Sequence, residues 1–299
     1  MKYGMPYKGS KNKIAGKIFE LFPRKKNFYD LFCGGCAMTH YGLLHGGFEN
    51  YYMNDINPAC SELFMDAVHG KFKDEKRWIS REDFEKLKDV EPYVAFVWSF
   101  GNNLRSYLYS KEIEDFKKAW HYAIFFDDFE PAKKLTGIDF SPIKNIKKRK
   151  EKYLTSKEII RKFYNPSVFG VTQQLQSLER LQNLESLERL ESFNKSYDEI
   201  EIEKDSVIYC DIPYEGTEGY LTEFDFEKFY SWCEKQTEPL FISSYKMPSD
   251  RFVCVAMFKH RCTLNGDQNI EVTEKVFIPK HQEKEYHLPG SLFNFDEMM

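Results

Sequence analysis

Directly after the apolar stretch Ser206-Val207-Ile208-Tyr209-Cys210 stand four residues whose types suit an amino group: Asp211, Ile212, Pro213 and Tyr214. Asp211 can accept one hydrogen of an exocyclic NH2, and the Ile212 carbonyl can accept the other. Pro213 restricts Ile212 to extended backbone, which aims that carbonyl. Two acceptors on one amine pull its lone pair out of the ring. Tyr214 offers a face on which a base could stack, since enzymes that work on a base must take it out of the duplex. An ordinary strand-end turn, with a solvated Asp and a core Tyr, has the same composition, so the tetrapeptide alone leaves both readings open.

A second constellation lies near the beginning. Residues 28–32 (FYDLF) read as a short buried strand that breaks at Cys33-Gly34-Gly35-Cys36 and is followed by a helical pattern over 37–44. Gly34 and Gly35 lack a Cβ, so a cofactor can approach the backbone where a helix start exposes free N–H groups. Residues 51–55 (YYMND) read as the next strand, and Asn57-Pro58 can open another helix. An acid at the end of that strand, Asp55, is where the ribose of a nucleoside cofactor has its hydroxyls bound. The unit is therefore βαβ and suits an adenosine-type cofactor. The full G-x-G-x-x-G is missing, so nothing favours a dinucleotide. Cys33 and Cys36 form a C-x-x-C without a second ligand pair, and no metal is expected.

These residues need a scaffold. Further strand signals fall at 206–210, 240–244, 252–257 and 273–278, with a helix over 226–234. Between about 68 and 169 the chain turns polar, with helical patterns such as SREDFEKLKDVEPYVAFVWSF, which predicts a mainly helical insertion. Leucines at 175, 178, 181, 184, 187 and 190 are spaced by three. That spacing drifts about 60° per leucine around an α-helix, so a helix here must be buried or paired. The reading adopted is a duplicated helix in a connection.

A chain of 299 residues can bury a full core and suits one large domain or a catalytic domain with an insertion. A net charge of −4 argues against a protein that coats nucleic acid nonspecifically. Charge is segregated, however: residues 144–162 hold nine Lys or Arg against two Glu, while 185–203 is acid-rich. No run approaches the ~18 apolar residues of a membrane span, and the first residues lack the apolar core of a signal peptide. A cytoplasmic protein with reduced cysteines is expected.

The order of the pieces carries a resemblance. Residues 5–11 (MPYKGSK), 30–36 (DLFCGGC), 54–58 (NDINP) and 211–214 (DIPY) together resemble the Dam-type N6-adenine DNA methyltransferases, across nearly the whole chain. The resemblance implies an α/β, Rossmann-like methyltransferase fold: a mixed sheet with helices on both faces, formed by 1–65 and 171–299. Residues 66–170 would be a mainly helical target-recognition insertion. It implies S-adenosylmethionine as cofactor and double-stranded DNA as partner, with no membrane, metal or obligate protein partner. Tyr7, Lys11, Asp30, Phe32, Gly34 and Gly35 are assigned to the cofactor pocket, Tyr7 near the cofactor and Lys11 near the catalytic strand ends. Asp55 is assigned to the ribose. Asp211, Ile212, Pro213 and Tyr214 would hold the adenine.

Two departures stand out: Cys36 replaces the second Gly of F-x-G-x-G, and Ile212 replaces the first Pro of D-P-P-Y. Position 212 contributes a backbone carbonyl that any residue possesses. Asn102, Asn103 and Arg105 in SFGNNLR are expected beside DNA, and Lys147, Lys148, Arg149 and Lys150 against phosphates. The reaction implied is direct transfer to adenine N6, without a covalent intermediate. The rivals are methylation of another amino group, cytosine N4 or a glutamine amide, and a homologue that binds DNA or cofactor without catalysis. An Asp at 211, rather than Ser or Asn, favours adenine.

Overall fold

Strands that are apolar at every position must be covered on both faces, which is the pattern of parallel strands in an α/β sheet. The computed structural model describes residues 3–7, 9–137, 139, 143–145, 148, 178, 181, 184, 187–213, 224–264 and 268–284, the side chains of 260–272 excepted. Seven strands form one sheet: β1 (Asn27–Asp30), β2 (Asn50–Asn54), β3 (Leu190–Phe193), β4 (Ser206–Asp211), β5 (Leu240–Ser244), β6 (Phe252–Leu264) and β7 (Gln268–Pro279). Their order is β3-β2-β1-β4-β5-β7-β6. The first five are mutually parallel, and β7 runs antiparallel to both its neighbours.

Both faces are covered. On one, Phe28, Tyr209 and Phe241 meet Phe19 and Phe22, at the end of α1 (Ala15–Phe19) and just beyond it. On the other, Tyr29, Ile208, Cys210, Leu240 and Ile242 join Phe229 and Cys233 of a later helix, Phe226–Cys233, in a single buried cluster. That helix starts where the Asp225 carboxylate accepts the Lys228 N–H at 2.9 Å, a side-chain N-cap. The expected mixed α/β methyltransferase-type sheet with helices on both faces is thus the observed one. Two further helices, α2 (Ala37–His45) and α3 (Pro58–Val68), follow β1 and β2.

Three details differ from the sequence expectation. The hairpin strands β6 and β7 are longer than 252–257 and 273–278. β3 was not expected at all, because its four residues, LESF, lie half-buried or exposed and so lack an apolar signature. Pairing with β2 makes it a strand. Its first residue, Leu190, ends the leucine run, and Leu187–Arg189 is a 3-10 turn, so that run is not one continuous helix. Leu178 and Leu181 are helical and fully buried.

Contacts divide the chain into two units. The first comprises Met1–Met5, Gly9–Met65 and Asn183–Met299, and it holds the sheet. The second comprises Pro6–Lys8 and Asp66–Gln182. Its described elements include α4 (Arg81–Leu87), α5 (Pro92–Val97), α6 (Lys111–Phe125) and α7 (Glu130–Thr136), with a short bridge between Ser99 and Tyr107. Phe116, Trp120 and Ile124, at helical spacing on α6, bury against Ala132 of α7. With these introduced, the helix Phe226–Cys233 is α8.

Candidate active site

The strand order reverses about β1: the chain proceeds outward to β2 on one side, while β4 and β5 continue on the other. In open α/β sheets the crevice at such a switch point, beyond the carboxyl ends of the strands, is where ligands bind. Three carboxylates stand at that edge in the first unit. Asp30 is the last residue of β1, Asp55 follows β2, and Asp211 is the last residue of β4. Parallel register holds the first and third close, since Asp30 lies opposite Tyr209 and the Leu31 N–H bonds the Tyr209 carbonyl at 3.0 Å.

Asp30 is almost fully buried. Its Oδ2 accepts from the Thr39 hydroxyl at 2.7 Å and the Thr39 N–H at 3.1 Å, which ties β1 to the first turn of α2. Its Oδ1 has no partner among the described residues. Burial pushes the Asp30 carboxyl from the ordinary 3.8 up to about 7, with the charges of Asp211 and Asp55 adding to the rise and the Thr39 hydrogen bonds opposing it.

The glycine turn is braced from two sides. Gly34 adopts a left-handed φ of 47°, and its N–H donates to Asp55 Oδ2 at 2.8 Å. The Gly35 carbonyl accepts the Met5 N–H at 2.7 Å, and any Cβ on Gly4 would run into that carbonyl. Cys36, where a glycine is usual in the family it resembles, has φ 55° and ψ 32°. The turn therefore imposes a left-handed conformation that costs a non-glycine residue about 1 kcal/mol or more, and Cys36 adopts it with its side chain fully buried. Its sulfur lies 3.6 Å from that of Cys33. Asp55 Oδ1 accepts the Asn57 N–H at 2.9 Å. Burial raises the Asp55 pKa, the Asn57 and Gly34 hydrogen bonds counteract it, and the Asp211 charge adds to it.

Asp211 is 22% exposed and held by Lys11, whose ammonium donates to both carboxylate oxygens at 2.7 and 2.8 Å. Lys11 itself is buried; burial disfavours its charge, but Asp211 and Glu274 outweigh that and raise its pKa. Ile212 is buried and Pro213 half-buried, while Tyr214 lies outside the described residues.

The remaining assigned residues are scattered over both units. Phe32 stacks on Tyr197 with centroids 5.5 Å apart. In the second unit Tyr7 stacks on Phe96 at 5.8 Å. Asn102 donates to the Phe96 carbonyl at 2.9 Å, and Asn103 Oδ1 accepts the N–H groups of Arg105 and Ser106, so both asparagines build their own turn. Arg105 and Lys148 are exposed. Lys147, Arg149 and Lys150 lie outside the described residues.

Sequence reasoning missed Ser10, Asn54, Asn194 and Glu274. Asn54 donates to the Leu31 carbonyl at 3.1 Å and accepts the Lys195 N–H at 3.0 Å, and Asn194 donates to the Asp55 carbonyl at 2.7 Å, so these two fix the edge around Asp55. No spacing rule could have paired residues so distant. Glu274 did leave a signal, because it shares strand parity with Val276 and Ile278, both buried.

The donor set suits a polar, partly cationic ligand with hydroxyls: buried Ser10 Oγ and Asp30 Oδ1 lack partners among the described residues, and Asp55 keeps lone pairs beyond its two backbone donors. Among the described residues no group of His, Cys, Asp and Glu is arranged to hold a metal, and no helix is long and apolar enough to cross a membrane. No curated protein matches the chain significantly. A family model described as D12 class N6 adenine-specific DNA methyltransferase matches residues 7–240, a span that takes in Lys11 and all three edge carboxylates, and the chain belongs to that family.

Proposed function

We propose that the methyl donor is S-adenosylmethionine, that the substrate is double-stranded DNA, and that the transfer occurs at Asp211 at the end of β4. The observation that carries this reading is the cluster of Asp30, Asp55 and Asp211 at the switch point of the sheet, with Asp211 gripped by a buried lysine. S-adenosylmethionine supplies a methyl group made electrophilic by its sulfonium. Asp30, through its free buried oxygen, binds the donor's ammonium, and Asp55 binds its ribose hydroxyls. The Gly34-Gly35 turn admits close backbone approach, Phe32 lines the pocket, and Lys11 holds Asp211 beside it. Asp211 accepts one hydrogen of the adenine amino group, the Ile212 carbonyl accepts the other, and Tyr214 stacks on the base. Positioning and polarisation then suffice, because the amine attacks directly.

Residues 66–170 are proposed as the target-recognition part, with Arg105 beside DNA and the turn held by Asn102 and Asn103 presenting it. A DNA substrate is consistent with work in the cytoplasm. Incubating the protein with radiolabelled S-adenosylmethionine and unmethylated duplex tests the reading: label enters the DNA. A gel shift without incorporated label contradicts it.

Three outcomes follow from these assignments. Asp55→Ala removes a charge-assisted acceptor worth roughly 1.5 to 3 kcal/mol, so S-adenosylmethionine binding weakens ten-fold or more. Titration calorimetry on the folded variant checks it, and unchanged affinity rejects the ribose assignment. Replacing Lys147, Lys148, Arg149 and Lys150 by Ala weakens binding to all sequences alike and flattens the salt dependence, as phosphate contacts carry no base information. Wild-type affinity and salt slope would reduce this run to solvated surface.

The third outcome concerns pH. Because Asp30 titrates near 7 and a cationic donor binds its ionised form, affinity rises about ten-fold between pH 5.5 and 7 and levels off above. Donor binding in that window releases a proton, detectable by calorimetry in buffers of different ionisation enthalpy. In the ligand-free protein the raised value works against folding: the native state holds the Asp30 proton longer than the unfolded chain, so stability declines as pH climbs from about 4 to 7. Asp30→Asn flattens both profiles. Persistence of either slope in Asp30→Asn assigns it to another group.

A further inference from the structure

An ionised carboxylate on the inward face of a strand persists only where a cation or several donors meet it. Glu274 is such a group: it is 2% exposed on β7, with fully buried Val276 two positions on. Its Oε2 lies 3.8 Å from the Lys11 ammonium, which sits 2.7 Å from Asp211 Oδ1. One buried ammonium thus stands between two carboxylates, close to the first and within reach of the second.

That asymmetry matters for an acceptor. Lys11 occupies both oxygens of Asp211, and an amino group that enters must find a lone pair there. Each oxygen keeps a further lone pair, but an ammonium bound to both weakens them as acceptors, so the amine is held best where the ammonium has moved off one oxygen. If nothing else received it, the site would exchange an ion pair for a neutral hydrogen bond inside a poorly solvated edge, an unfavourable trade. A second carboxylate removes that obstacle.

We propose that Glu274 is a positioning residue for methyl transfer: it gives the Lys11 ammonium a second seat, drawing it off Asp211 as the adenine amino group arrives and keeping its charge within the site. The inference rests on Asp211 being the amine acceptor. It predicts an effect on transfer and none on the cofactor contacts of Asp30, which ends β1, and Asp55, which follows β2.

Single-turnover methylation of unmethylated duplex at saturating cofactor, together with cofactor affinity and melting temperature, tests it in the full-length protein. Glu274→Gln keeps the shape and loses the charge; its transfer rate falls ten-fold or more while cofactor affinity stays within two-fold. Glu274→Asp keeps the charge and recovers part of the rate. In a Lys11→Met background Glu274→Gln causes no further loss, because it acts only through the lysine. A Glu274→Gln rate within two-fold of wild type overturns the proposal, as does a full additional loss on top of Lys11→Met. Should the single Gln variant fail to fold, Glu274→Asp and the double variant, which removes both charges together, decide. Asp211→Ala run alongside separates the two claims: if it is active, the acceptor reading fails, and if it is inactive while Glu274→Gln is fully active, only the role of Glu274 fails.

Discussion

Asp211→Ala binds S-adenosylmethionine as the wild type does but methylates adenine more slowly by a factor of about 10² to 10³ or beyond, the usual consequence of removing one preorganised polar group from a reacting centre. The two halves of this expectation have separate structural grounds. Cofactor binding survives because Asp30 and Asp55 are anchored independently of Asp211, the one by Thr39 and the other by Gly34 and Asn57. Transfer fails because the Ile212 carbonyl alone can accept only one hydrogen of the amine. Loss of the Asp211 charge also lifts a repulsion that now raises both other carboxylates, so cofactor affinity has no electrostatic reason to fall. Equal drops in affinity and rate would show that Asp211 supports the fold of the edge rather than the amine.

Lys11→Met has the second large effect, and it falls on stability. The substitution leaves two carboxylates, the buried Glu274 and the partly buried Asp211, without the ammonium that bridges them. Removing one partner of a buried ion pair destabilises by roughly 3 to 5 kcal/mol, because the remaining charge is stranded. Urea unfolding therefore shows an unchanged slope and a midpoint lowered by that free energy divided by the slope. A loss below about 1 kcal/mol would mean that water reaches the pair and that the lysine is dispensable to the folded state.

Much of this site could be read from residue order. β1, β4 and β5 announce themselves because each is buried on nearly every position, and β2 on three of five, and apolar runs of that kind have few other uses. An acid at the end of such a run is conspicuous, and Asp55 and Asp211 were found that way, whereas Asp30, inside the run read over 28–32, came from the resemblance alone. β3 stayed hidden because an edge strand needs no apolar face. Pairwise chemistry was also invisible. Lys11 and Asp211 are 200 positions apart, and only closure of the sheet brings them to 2.7 Å. Asn102 and Asn103 are proposed beside DNA on their types, and their side chains also bond their own turn, a role that composition alone does not distinguish. Cys36 looked like a departure from a glycine motif, and its positive φ is one that glycine adopts without steric cost.

The most direct test is chemical. The gene is expressed in a host free of DNA methylation, the DNA is digested to nucleosides, and the products are separated by mass and retention. N6-methyladenine from the wild type, and only a small fraction of that level from Asp211→Ala, is the expected result. N4-methylcytosine in place of N6-methyladenine, or N6-methyladenine at wild-type levels from the folded Asp211→Ala protein, would contradict it.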